Sequence, residues 1–247
     1  MIICKKLKVS DTISNISEWH KKCPPAKPGQ WKNGRSAKTT AEIWLAGVPN
    51  EFENALNTLR FRPDVCLPEY VSKFDNYRGN GRNHDLILID HTNKILVAVE
   101  SKVDESFDKT IEGKIKYAEN VLEKNPNSNA LNRISDLRKA IFGTEENDQL
   151  DLRYQLLCGI AGTISEANNR KYGKAVFMVQ VLKTKTINQK KYANNSADLD
   201  KFVAYLTKGS TRTISNGQLI LIGNLPGNEF IPSNIKLYIS KIEILVP

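Results

Sequence analysis

Cysteine and histidine are scarce in this 247-residue chain, and neither type clusters. The four cysteines, Cys4, Cys23, Cys66 and Cys158, form no C-x-x-C pair, and His20, His84 and His91 stand at no ligand spacing. A zinc site and a disulfide framework are therefore not expected, and a reducing cytoplasm suits the chain best. Long apolar runs are also missing, so no transmembrane helix and no membrane partner are expected. The N-terminus, Met1-Ile-Ile-Cys-Lys-Lys-Leu-Lys, lacks the apolar region and small-residue cleavage site of a secretory signal. Low-complexity tracts and internal repeats are absent as well.

Acidic residues are missing from one stretch in particular. Between Trp19 and Ala41 lie Lys21, Lys22, Lys27, Lys32, Arg35 and Lys38 with no acid among them. A second basic stretch, Lys183–Arg212, carries seven lysines and arginines, including Lys185, Lys190 and Lys191, against Asp198 and Asp200. With a net charge of +9, such stretches attract phosphate polyanions through counterion release. Lysine-rich surface also simply keeps proteins soluble, so charge alone does not decide. Trp31, Tyr77 and Tyr192 lie near these stretches and could stack on bases.

Apolar spacing and breakers set the expected elements. Ser10–Lys22 reads as a short helix ending before Pro24-Pro25. Ser36 is placed as N-cap of a helix over Ala37–Ala46, and Pro49 as the start of a helix over Glu51–Arg60. Strands are expected over Pro68–Asp75, 84–90 and 95–102, the last two joined as a hairpin through Asp90–Lys94. Helical periodicity follows in three runs, around Ile111–Leu122, Leu131–Ile141 and, capped by Asp148, Leu150–Ile164. Ala175–Leu182 is an internal strand, Lys183–Asn195 a basic loop, Ala197–Leu206 a helix, and Gln218–Ile222 and Ile235–Val246 further strands. The order αβββαβ implies an α/β fold with a mixed central sheet flanked by helices, extra helices before the last core strand, and a C-terminal α/β extension. No linker divides the chain. A single domain, 1–247, is expected, with its core at about 36–182, a basic helical segment 1–35 and an extension 183–247.

The hairpin carries the chemistry. Asp85 opens its first strand and Glu100-Ser101-Lys102 closes the second. Side chains two apart on a strand share a face, so Glu100 and Lys102 project together with Ser101 turned away. A hairpin of this length can bring Asp85 beside them. Two carboxylates can hold Mg²⁺, which keeps several waters and lowers their pKa, and Lys102 can orient an attacking water or stabilise developing charge. These are the needs of phosphodiester hydrolysis. Acid-x-Lys triplets are cheap, with about two or three expected by chance in such a chain. Glu112-Gly113-Lys114 is one of these, because in a helical pattern positions two apart do not share a face. Gly79-Asn80-Gly81-Arg82 reads as a turn rather than a phosphate cradle, since no helix follows it.

A helix bearing an acid, then a hairpin with Asp and Glu-x-Lys, then helix and strand, resembles the PD-(D/E)xK nuclease superfamily of restriction-endonuclease-like folds. The likeness spans roughly Ser36–Leu182. It implies that Asp85 is the motif aspartate, Glu100 the second acid and Lys102 the motif lysine. It also implies that Glu42 is the extra acid some branches use, as a third metal ligand, and that Gln155 lines the site. His84 stands where the family often has proline. The resemblance implies a magnesium-dependent nuclease, with manganese able to substitute, that acts on DNA and often works as a homodimer to cut both strands. Lys32, Arg35, Lys38, Arg78, Arg82, Lys185, Lys190 and Lys191 are the expected phosphate contacts. The competing expectation is a nucleic-acid-binding or interaction module on the same fold without catalysis.

Overall fold

A computed structural model describes residues 1–7 and 11–246 of the chain. The elements run β1 (Ile2–Ile3), α1 (Ile16–Lys22), α2 (Ser36–Ala46), α3 (Asn50–Ala55), β2 (Val65–Ser72), β3 (Arg82–Asp90) and β4 (Ile95–Lys102). They continue with α4 (Ile111–Lys124), α5 (Ala130–Phe142), α6 (Tyr154–Asn169), β5 (Lys174–Lys183), α7 (Gln189–Leu206), β6 (Leu219–Gly223) and β7 (Lys236–Leu245). All seven strands form one mixed sheet in the order β1-β2-β3-β4-β5-β7-β6. The hairpins β2–β3 and β3–β4 are antiparallel, and β4, β5 and β7 run parallel.

The two central strands explain their own position. β4 opens Ile-Leu-Val-Ala-Val and β5 is apolar at nearly every residue, so both faces must be covered. They are covered by two separate cores. One packs Leu67, Ile87, Ile89, Leu96, Ala98 and Phe177 under α4–α7. The other packs Cys66, Leu86, Leu88, Val97, Val99 and Met178 under α1–α3. The C-terminal residues continue this same sheet, because β7 pairs with β5 along its whole length from Lys174 to Lys183.

Several sequence expectations shift. Ser10 lies outside the described residues, and α1 begins at Ile16 with Asn15 as its cap, Oδ1 accepting from the Glu18 amide at 2.9 Å. Ser36 is the first residue of α2 rather than its cap, and its amide and hydroxyl both donate to Glu105. The helix expected to Arg60 stops at Ala55 and passes into a single 3₁₀ turn. The strand expected from Pro68 starts three residues earlier, at Val65. Asp148 sits in a 3₁₀ turn, and α6 begins only at Tyr154. The basic loop Lys183–Asn195 is largely the start of α7. Asn188 caps it by accepting from the Lys191 amide, and its buried stripe, Leu199, Phe202 and Val203, comes only later. Its polar opening turns carry no apolar period to read.

Candidate functional site

Strand alternation would keep even-numbered residues of β3 on one face, and for Leu86 and Leu88 it does: they face α1–α3. Further along, Arg82 and His84 lie against Gly162 of α6, on the opposite side. β2 reverses in step, since Tyr70 packs with the α4–α7 core although Cys66 does not. The reversal falls at Glu69, whose φ of +48° is left-handed, between the register pairs Pro68↔Leu86 and Tyr70↔His84. A non-glycine residue in that conformation costs roughly 1–2 kcal/mol. Glu69 is held there by Asn83, whose side-chain amide donates to it at 2.6 Å.

The irregularity opens the hairpin where its acids lie. The β3–β4 ladder ends at Leu86↔Val99. Beyond it, the Asp85 carboxylate accepts from the Ser101 amide at 2.6 Å, one residue past Glu100. Glu100 and Lys102 share a face as the strand period requires, with Lys102 Nζ 2.8 Å from Glu100 Oε1. Gln155 at the start of α6 donates to the same oxygen at 2.7 Å, and Arg82 pairs with Glu100 Oε2. Ser101 points the other way, where its hydroxyl accepts from Gln180. The Gln180 carbonyl in turn accepts from the Trp44 indole at 3.0 Å, so a buried polar chain ties β4 through β5 to α2.

A third carboxylate was not anticipated from the sequence. Glu105, in the loop after β4, accepts from the Val103 and Ser36 amides and lies within electrostatic reach of both Asp85 and Lys102. Glu42, by contrast, is exposed on α2 and pairs with Lys38 at 3.7 Å; it makes no contact with Asp85, Glu100 or Lys102. The signal for Glu105 was the acid-rich loop Val103-Asp104-Glu105 directly after the triplet.

Burial sets the electrostatics. It raises the Asp85 carboxyl from its ordinary value, against the pull of Lys102, the Ser101 amide and Arg82. It lowers Lys102 to about 8, with Asp85 acting in the opposite direction. Glu69 is pushed up to about 8 by burial and by Asp85. Glu105 stays below its ordinary value despite burial, because backbone amides donate to it. Above these groups lies an open cleft of about 650 Å³. Lys27, Gln30, Arg82, Lys102, Glu105 and Gln155 are among the residues that line it. Glu100, only 3% exposed, sits beneath.

A family model, described as a domain of unknown function (DUF6946), matches residues 12–245. The chain belongs to the DUF6946 family. No curated protein and no solved structure matches it.

In this DUF6946 chain the two basic stretches, far apart in sequence, meet at one place. Arg35 from the first and Lys191 from the start of α7 both reach Asp104, each at 3.8 Å. Lys32, Lys185 and Lys190 are exposed, and Lys38 bonds to Asn33 as well as pairing with Glu42. Arg78 is exposed on the turn before β3. Arg82 lines the cleft with its guanidinium committed to Glu100. Of the aromatic residues, Trp31 stacks on His20 at 4.5 Å, and Tyr192 donates to Glu243 at 2.6 Å in a separate ion cluster. Among the described residues no three His, Cys, Asp or Glu side chains form a ready metal cage. Asp85 and Glu100 supply two hard oxygen donors beside Lys102, which lines the cleft. That donor set fits magnesium, which is held by one or two carboxylates and keeps its own waters, and does not fit zinc. No helix among the described residues is long and apolar enough to cross a membrane.

Proposed function

We propose that this chain is a metal-dependent nuclease that hydrolyses phosphodiester bonds in DNA, built on a restriction-endonuclease-like core. The observation that carries this reading is the convergence on Glu100. Lys102 from the same strand face and Gln155 from α6 reach its carboxylate, and Asp85 lies across the opened hairpin. Asp85 and Glu100 would hold Mg²⁺, or Mn²⁺ in its place, once Arg82 releases a Glu100 oxygen. The bound ion would supply charge neutralisation and an acidified water.

The side chains have distinct tasks. Lys102 presents an ammonium to the cleft, where it can orient the attacking water and stabilise charge developing on the phosphoryl oxygens. Gln155 fixes one Glu100 oxygen, and Glu105 adds negative charge beside Lys102, favouring its ammonium form. Arg82 is placed to exchange its carboxylate partner for a phosphate oxygen. Arg35 and Lys191, both paired to Asp104 next to Glu105, would follow the DNA backbone, with Lys38 adding charge on α2.

Incubation with supercoiled plasmid and Mg²⁺ or Mn²⁺ tests the proposal. Nicked or linear product is expected from the wild-type chain, with a loss of about a thousandfold in Lys102→Ala. Circular dichroism checks that the variant is folded. Equal cleavage by both would remove Lys102 from the chemistry. A second reading, a DNA-binding module without catalysis, is favoured by one observation: Glu100 already has Arg82, Lys102 and Gln155 as partners and forms a satisfied ion cluster without metal. DNA binding with no cleavage under either cation would select it.

A further inference from the structure

A second recess of about 320 Å³ adjoins the cleft, and the two share Arg133 and Tyr154 in their walls. Its lining differs from that of the cleft. Tyr77, Tyr117 and Tyr154 contribute three aromatic rings, Arg78 and Lys114 contribute cations, and no aspartate or glutamate takes part. Tyr117 is 56% exposed, one of the few large hydrophobic side chains so placed. Lys109 Nζ stands 5.1 Å from its ring centre, and Lys114 Nζ 5.3 Å from that of Tyr154. Arg133 is fixed as the ridge between the recesses by Asp75, 2.7 Å away, and by the Asn80 carbonyl. Lys114 is likewise paired, to Asp108. Arg78 has no ion pair among the described residues, so its charge remains for a ligand.

Resting on the nuclease reading, we propose that this recess binds unpaired nucleotides and that the substrate is single-stranded DNA, or a strand frayed from a duplex, passing over Arg133 into the cleft. Tyrosine rings beside cations are the combination on which successive bases of a single strand stack while the backbone follows the charge. In a duplex the base faces are hidden in the stack and only their edges appear in the grooves, so the rings here would have nothing to meet. The volume agrees, being at the small end of ligand sites, roughly 300–1,000 Å³. That is room for a nucleotide unit and not for a double helix. Asn127 and Asn129, on the rim, offer amides to base edges.

Fluorescence anisotropy on the full chain in EDTA separates binding from cleavage, with a labelled 20-mer of thymidylate and a labelled duplex of the same length as probes. The single strand is expected to bind at least tenfold more tightly than the duplex. Tyr117→Ala, a surface change that leaves the fold intact, should weaken the single strand by about tenfold and leave the duplex unchanged. Arg78→Ala should weaken the single strand and flatten its salt dependence. Equal or tighter duplex binding, or single-strand affinity indifferent to Tyr117→Ala, would overturn this inference and leave the nuclease reading standing. Failure of both probes to bind would overturn the nuclease reading together with it.

Discussion

Glu100-Ser101-Lys102 and Glu112-Gly113-Lys114 have the same spacing and nearly the same composition, and the protein does opposite things with them. On β4 the acid and the lysine share a face, lie 2.8 Å apart and are buried. On α4 the same two-residue step separates them. Glu112 turns to Lys116 one helical turn on, at the surface, while Lys114 turns back to Asp108. The spacing has chemical meaning only once the backbone period is known. A third pair sharpens the point. Lys241 and Glu243 on β7 also share a strand face, at 3.1 Å, but Tyr192 and Lys183 complete the cluster around Glu243. A strand period makes a pair, and an adjacent cleft with a second acid makes a candidate site.

The largest expected difference between these pairs is in stability. Glu100→Gln leaves Arg82 and Lys102 without their common partner in a buried place, and urea unfolding should show a loss of about 3–5 kcal/mol. The β7 cluster should show itself through pH. Burial works against the Glu243 carboxylate, but hydrogen bonds from Tyr192, Lys183 and Lys241 outweigh it and hold it at about 2, below its ordinary 4.5. A depressed carboxyl stabilises the fold fully above its unfolded value and loses that contribution as pH falls through its folded value. Between pH 4.5 and 2, Glu243 should therefore cost about 2–3 kcal/mol, and Glu243→Gln should remove that part of the acid sensitivity. The smallest effect belongs to the helix: Glu112→Gln removes an exposed pair and should change the unfolding free energy by less than about 0.5 kcal/mol and DNA cleavage by less than twofold. A large loss there would break the contrast between strand and helix.

What was legible in the sequence follows the same line. The hairpin and the internal strands rest on continuous apolar runs that residue type reports directly, and the shared face of Glu100 and Lys102 follows from the two-residue strand period. The face reversal at Glu69 was not legible, because a left-handed glutamate inside a strand has no glycine or asparagine to announce it. Asp85 reaches the site through that reversal rather than by simple pairing. Glu105 was hidden for another reason. Loop geometry, with Ser36 at the start of α2 as anchor, brings it to Lys102, and no periodicity governs a loop. The early part of α7 carries no helical signal because its turns are solvated, with no apolar stripe to mark them. Charge composition revealed the basic stretches, and only the fold shows that they meet at Asp104.

The central claim is that Asp85 and Glu100 together hold a divalent ion. Titration of the folded chain with Mn²⁺, followed by electron paramagnetic resonance, measures this without reference to cleavage. One bound ion is expected in the wild type, displaced by Mg²⁺, and none in Asp85→Asn, whose folding is checked by circular dichroism. Absence of binding to the wild type, or binding unchanged by Asp85→Asn, would contradict it.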